Sequence, residues 1–140
     1  MIEHLFPPLA GVGEFVLRLT IGLVFWPHGW QKLKGPAGFA GFLRQLKVPA
    51  PLLAAWVVAL LESVGAILLI LGLATRLVAF GLAIDMLVAN VSVKVGMAKA
   101  PFASTQQAQG WEFEFALMGT SLALVFTGAG RVSIDALLGL

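Results

Sequence analysis

Six polar side chains interrupt the apolar runs of this sequence and are the ones able to do chemistry: Arg18, His28, Glu62, Asp85, Asn90 and Glu114. An ionisable group at the centre of a hydrocarbon layer costs about 2.5–3.5 kcal/mol, so such groups turn to the protein interior and find partners. Counted by helix rise, Glu62 and Asp85 fall near mid-depth of their runs. Arg18 lies one turn into the first run, four residues after Glu14, with reach to either Glu62 or Glu14. The expectation is two polar layers: Arg18, Glu62 and Asp85 at the centre, then His28, Asn90 and Glu114 nearer one face. An Arg18–Glu62 pair either fastens two helices or handles charge. Asp85 has no second cation in its layer, which suits proton-coupled chemistry, transport, or a hydrogen-bonded acid. The His28 imidazole could hydrogen-bond a carbonyl oxygen such as that of a quinone.

His28 belongs to the stretch FWPHGWQKLKG, residues 25–35. Lys32 and Lys34 read as water-line residues there, and Trp30 as part of an interfacial belt. Pro27 removes the backbone bond to Leu23 and is expected to loosen the helix. Trp26, Trp30, Trp56 and Trp111 all fall towards one face. An aromatic belt normally occupies both interfaces; a one-sided cluster could also line a flat pocket for a ring, with Trp26, Trp30 and Trp111 as candidates.

Other chemistries are excluded or disfavoured. The chain has no cysteine, hence no disulfide, thiolate, iron–sulfur cluster or covalently attached haem of its own. Non-covalent haem held by His28 and His4 would need ligands on opposite faces, and Met86, Met97 and Met118 suit packing. No haem, iron–sulfur cluster or metal is therefore expected. A net charge of only +2 gives no case for nucleic acid as a partner.

The elements that must position these residues follow from composition. With 59% hydrophobic and 11% charged residues, the chain has too little polar surface for a soluble domain. Lipid bilayer is the natural solvent. Apolar segments at about 14–33, 52–72, 76–95 and 111–128 are each near the span of a hydrocarbon core. They do not alternate as barrel strands would, and lipid demands internally bonded backbone. The expected fold is an all-α integral membrane protein, a single domain over 1–140, built as a four-helix transmembrane bundle. A short helix at about 38–47, with Phe39, Phe42, Leu43 and Leu46 on one face, is expected in the interface plane between the first two spans.

Small residues flank the charges. Glu62 shares a stripe with Ala55, Ala59, Gly65 and Ala66, and Asp85 with Gly81, Ala89 and Ser92, as close helix packing in membranes requires. Lys32, Lys34, Arg44, Lys47, Lys94 and Lys99 fall in or beside the first and third connections; the other side has Arg76 and Arg131. The positive-inside rule places connections 1 and 3 in the cytoplasm and both termini outside. Glu3 and His4 stand where a signal peptide would carry basic residues, so the first span is expected to serve as the insertion signal. A loose likeness between the Arg18 and Arg76 neighbourhoods suggests two parallel hairpins.

The stretches RLTIGLVFWPHGWQKL, GFAGFLRQLKVPAP, LLESVGAILLILGLATRL and GAGRVSIDALL, covering nearly the whole chain, resemble the DoxX family of small four-span membrane proteins. The His28-Gly29-x-x-Lys32 stretch, Glu62 and the Gly-x-Gly-Arg-x-Ser-x-Asp ending are the most specific parts. The resemblance implies a prokaryotic cytoplasmic (inner) membrane protein of the kind linked to quinone and oxidative-stress chemistry. It implies a membrane subunit that serves a soluble or membrane oxidoreductase partner, with quinone as the cofactor. Trp26, Trp30 or Trp111 would pack the ring, and His28 or Glu114 would exchange protons with it. The alternative is a non-enzymatic role in small-molecule or lipid binding, transport or assembly. Four helices scarcely enclose a path, so transport would call for a homo-oligomer.

Overall fold

A computed structural model describes residues 11–140; Glu3 and His4 lie outside the described residues. The described residues form helices, with no strand among them; the longest connection is the linker 98–111. Helix α1 is Val12–Lys34 and α2 is Pro36–Gln45. Helices α3 (Pro51–Leu71) and α4 (Thr75–Met97) are long and apolar enough to cross a membrane. Helix α5 is Glu112–Thr127, and a short α6, Ile134–Leu138, follows.

Two helices change pitch along their length. A π-helical turn at Leu61–Gly65 sits between the α-helical halves of α3, and α4 passes from α to π at Ala89–Met97. Helix α1 runs on through Pro27, which leaves one backbone bond unmade. Its missing bond is tolerated because the flanking turns are clamped on α3 at Gly22 and Gly29. A side chain at Gly22 would strike Ile70 and Ala66, and one at Gly29 would strike the backbone of Glu62 and Ser63. Ala55, Ala59, Ala66 and Ala79 are wholly buried, so the helices approach closely on small residues, with Ile21, Phe25, Leu69, Leu82 and Leu124 filling between.

This antiparallel register of α1 and α3 corrects the expected central layer. Arg18 lies opposite Leu69 and Ile70, not Glu62. The eleven residues from Arg18 to Gly29 place about 16 Å of helix between Arg18 and the level of Glu62. Arg18, wholly buried, donates to the carbonyls of Leu69 (3.3 Å), Ile70 (3.0 Å) and Val132.

The Gly-x-Gly-Arg-x-Ser-x-Asp ending builds a clasp around that end of the bundle. Helix α3 stops at Gly72, whose φ of 70° a side chain would disfavour. Asp135 accepts from the N–H groups of Ala74 (2.7 Å) and Thr75 (2.9 Å), capping α4, while its own N–H donates to Gly72 (2.8 Å). The Ser133 hydroxyl donates to Gly130 (2.6 Å) and accepts from the Ala136 N–H (3.1 Å), capping α6. Burial pushes the Asp135 carboxyl up, but the backbone donors of Thr75 and Ala74 and the Arg18 charge outweigh it and hold it below the usual carboxylate range.

The second hairpin repeats the first. Arg76, at the start of α4, donates to Val125 (2.6 Å) and Phe126 (3.2 Å) near the end of α5, as Arg18 does to the end of α3. Helix α5 also stops at a glycine of positive φ, Gly128. At the other end, Lys32 pairs with Glu62 and Lys94 pairs with Glu114. Each hairpin thus has an arginine holding the carbonyl end of its second helix and a lysine on a glutamate of that helix.

Candidate functional site

The site forms where α1 ends. Arg18, Gly22, Phe25, Gly29 and Lys32 follow one another at spacings of four and three, so one face of α1 carries them all against α3. Lys32 therefore turns inward and donates to the Glu62 carboxylate, which is only 2% exposed. This corrects the expectation of Lys32 as a water-line residue. Glu62 stands in the π turn of α3, and Asp85 of α4 lies beside it. The Asp85 Oδ2 is buried with no hydrogen-bond partner. Two carboxyls thus face one ammonium, an arrangement that is neutral when the carboxyls share one proton.

A chamber of about 310 Å³ stands over this cluster. Lys32, Glu62 and Asp85 make its polar side; Phe39, Phe42, Leu43 and Leu46 of α2, with Met86 and Val93 of α4, make the apolar walls. Helix α2 can cover the chamber because its apolar face packs on Ala54 and Ala55 of α3, and Pro36 starts it directly after α1 ends. The Lys32 ammonium lies 4.9 Å from the centre of the Phe39 ring. Mostly apolar walls with a few convergent polar groups are the pattern of a small-molecule site.

A second cavity, about 180 Å³, is lined by His28, Glu114, Phe113 and Leu117. It shares Lys32, Glu62, Met86 and Ala89 with the chamber. Of the sequence candidates, Glu62 and Asp85 line the chamber, and His28 and Glu114 line the adjoining cavity together with Glu62. Asn90, 5% exposed, buries an amide with no partner on the π segment of α4, but it lines neither space. Trp26 and Trp30 stack on each other at 5.8 Å on an exposed face. Trp111 packs edge-on against Phe102 (4.6 Å) and Phe115 (5.8 Å). None of these three tryptophans lines either cavity. Arg18 is held in the clasp, remote from both. The residues that sequence reasoning missed are Lys32, Phe39 and Phe42. The signal for Lys32 was present in its stripe with Gly22, Phe25 and Gly29.

Among the described residues every regular element is a helix, and two of these helices are long and apolar enough to cross a bilayer. The chain belongs to the DoxX family, whose pattern matches residues 13–95. It is similar to "Putative oxidoreductase CatD" of Bacillus subtilis, 33% identical over 89% of this chain and 85% of that protein. It is also similar to two Escherichia coli proteins. "Inner membrane protein YphA" is 28% identical over 86% of each chain, and "Inner membrane protein YqjF" is 30% identical over 93% of this chain and 95% of that one. No solved structure gives a significant match.

Proposed function

We propose that the chain is a four-span bundle of the prokaryotic cytoplasmic membrane, a single domain that binds a quinone headgroup in the chamber and serves a partner oxidoreductase as its membrane subunit. The observation that carries this is the Lys32–Glu62–Asp85 cluster on the polar side of an apolar chamber. The family and the oxidoreductase name of one relative support the redox class. The inner-membrane relatives support the location. Helix α2, amphipathic and set across the bundle end, lies in the interface plane. The lysine-rich connections after α1 and α4 face the cytoplasm, with the termini outside.

The residues present fit such a group. A volume of about 310 Å³ takes one ring of headgroup size, and an isoprenoid tail would leave between helices towards lipid. Lys32 offers a charged donor, and the Asp85 carboxyl, which keeps one oxygen unpartnered, offers an O–H donor in its protonated form, so that either can place a hydrogen bond on a carbonyl oxygen. Phe39 and Phe42, whose rings stack at 6.3 Å, supply a flat apolar wall. A bound quinone supplies two-electron, two-proton chemistry. This chain's residues bind and orient it, keep water out beneath α2, and hold a proton at the Glu62–Asp85 pair. Electrons come from the partner, since a chain without cysteine has no thiol couple to offer. Native mass spectrometry of protein extracted in mild detergent tests this: co-purified quinone is expected, and its absence together with failure to bind added quinone removes the proposal.

The excess of carboxyls over ammonium groups, where a bound cation could replace the shared proton, favours a second reading, in which an apolar amine occupies the chamber and the chain, as a homo-oligomer, is a transporter or a lipid-binding or assembly protein. Flux of a lipophilic amine into liposomes, lost in Asp85→Asn and Glu62→Gln, would support it; no flux in the wild type would count against it.

A further inference from the structure

The polar groups at the Lys32 end of the bundle line a series of adjoining cavities that reaches the surface linker. A third cavity, about 180 Å³, is lined by Lys94, Ser104, Gly110 and Glu114 beside the polar linker between α4 and α5. Lys94 pairs there with Glu114 at 3.1 Å and donates to the Gly110 carbonyl at 3.2 Å. Glu114 also lines the His28 cavity, and that cavity shares Lys32 and Glu62 with the chamber. Each space therefore adjoins the next through a titratable side chain. The carboxyls at the two ends, Glu114 through Oε2 and Asp85 through Oδ2, each keep one buried oxygen without a partner. A cavity of about 180 Å³ has room for several waters at roughly 30 Å³ each, and polar walls are what hold water in a protein interior.

From this series we infer a proton-transfer route running from the polar α4–α5 linker to the chamber, through the two repeat-related Lys–Glu pairs. Glu114 takes a proton from water at the linker, with Lys94 holding its other oxygen. His28 and cavity water carry it past Phe113 to the Lys32–Glu62 pair, and Asp85 receives it at the chamber. Asp85, having released its own proton into the chamber, is thereby reprotonated and every carrier returns to its starting state, so one proton moves from linker to chamber and only O–H and N–H bonds change. The charged or titratable groups facing the path are Lys94, Glu114, His28, Lys32, Glu62 and Asp85; Glu112, on the same turn as Glu114, is engaged by the Ser104 N–H at 2.8 Å. Two ion pairs that only fastened helices would need neither the adjoining cavities nor the free carboxyl oxygens. What the proton is used for rests on the quinone reading; the existence of the route does not.

Infrared spectroscopy of the purified full chain, transferred into D₂O, tests the route. A buried carboxylic-acid C=O band should be seen, lost in Asp85→Asn or Glu62→Gln, and should shift promptly on exchange in the wild type. Glu114→Gln and His28→Phe should each slow that shift by about a hundredfold, the low end of what a positioned proton carrier contributes, while Trp26→Phe leaves it unchanged. His28 is exposed on one side, so His28→Phe keeps the test open if Glu114→Gln fails to fold. Equal exchange rates in the wild type and the folded carrier variants, or no such band at all, would overturn the inference. Slowed exchange in a protein that binds no quinone would uphold the route and sink the quinone reading alone.

Discussion

Lys32, two residues before the end of α1, donates to Glu62 in the π turn of α3, at the level where Gly29 lets the two backbones touch. The relationship joins three features of one short stretch. The glycine sets the helix distance, the lysine three residues on supplies the cation, and the π turn carries its partner. π turns of this kind often mark functional positions.

Replacing Lys32 by Met leaves Glu62 buried without a cation. Removing one partner of such a pair costs about 3–5 kcal/mol, whereas removing both costs far less. Thermal unfolding in detergent should show a large loss for Lys32→Met and recovery of most of it in Lys32→Met/Glu62→Gln. A double variant as unstable as the single would show that the pair is not what holds Glu62 in place.

Gly29→Leu should force α1 from α3, costing at least about 1–3 kcal/mol by overpacking. Gly119→Ala on α5 meets nothing within 4 Å and should lose no stability. Melting temperatures of the two variants check the contrast.

Asp135→Ala removes the cap on α4 and should cost about 0.5–2 kcal/mol. The pH dependence has a definite sign. The folded carboxyl sits below its unfolded value, so its stabilisation is present above about pH 4, the range of an unperturbed aspartate, and is lost as pH falls through the depressed folded value. Asp135→Asn should flatten the acid side of a plot of melting temperature against pH; an unchanged acid limb would refute the assignment.

The two arginines of the repeat should differ in consequence. Arg18 is wholly buried and Arg76 exposed, although both hold helix-end carbonyls. Arg76→Met should stay within about 1 kcal/mol of the wild type, the range of an exposed charge interaction. Arg18→Met should cost several times more, as measured by the same unfolding assay.

Helical character was legible because apolar runs of this length with small-residue stripes suit helices in lipid. The burial of Arg18 and Glu62 was legible for the same reason. Their partners were not, because register between helices is set by where Gly22 and Gly29 let backbones meet. A rise of about 1.5 Å per residue counted from approximate span ends cannot resolve that. Lys32 looked like a water-line anchor by its place in the sequence, while its stripe with Gly22, Phe25 and Gly29 pointed inward. The π segments have no proline or other marker in the sequence, so the geometry that presents Glu62 was invisible there. Trp26, Trp30 and Trp111 drew attention as flat rings, yet Phe39 and Phe42 on α2 face the chamber. Only the fold of α2 onto α3 reveals that.

The most direct test is titration of the purified protein with a short-chain benzoquinone or naphthoquinone, followed by tryptophan fluorescence and calorimetry. Saturable binding is predicted in the wild type and in Trp26→Phe, weakened by about tenfold or more in Asp85→Leu and Phe39→Ala, in keeping with loss of the hydrogen bond from the protonated carboxyl or of an aromatic wall. Non-saturable partitioning, the same in all four proteins, would contradict a quinone site at Lys32, Glu62 and Asp85.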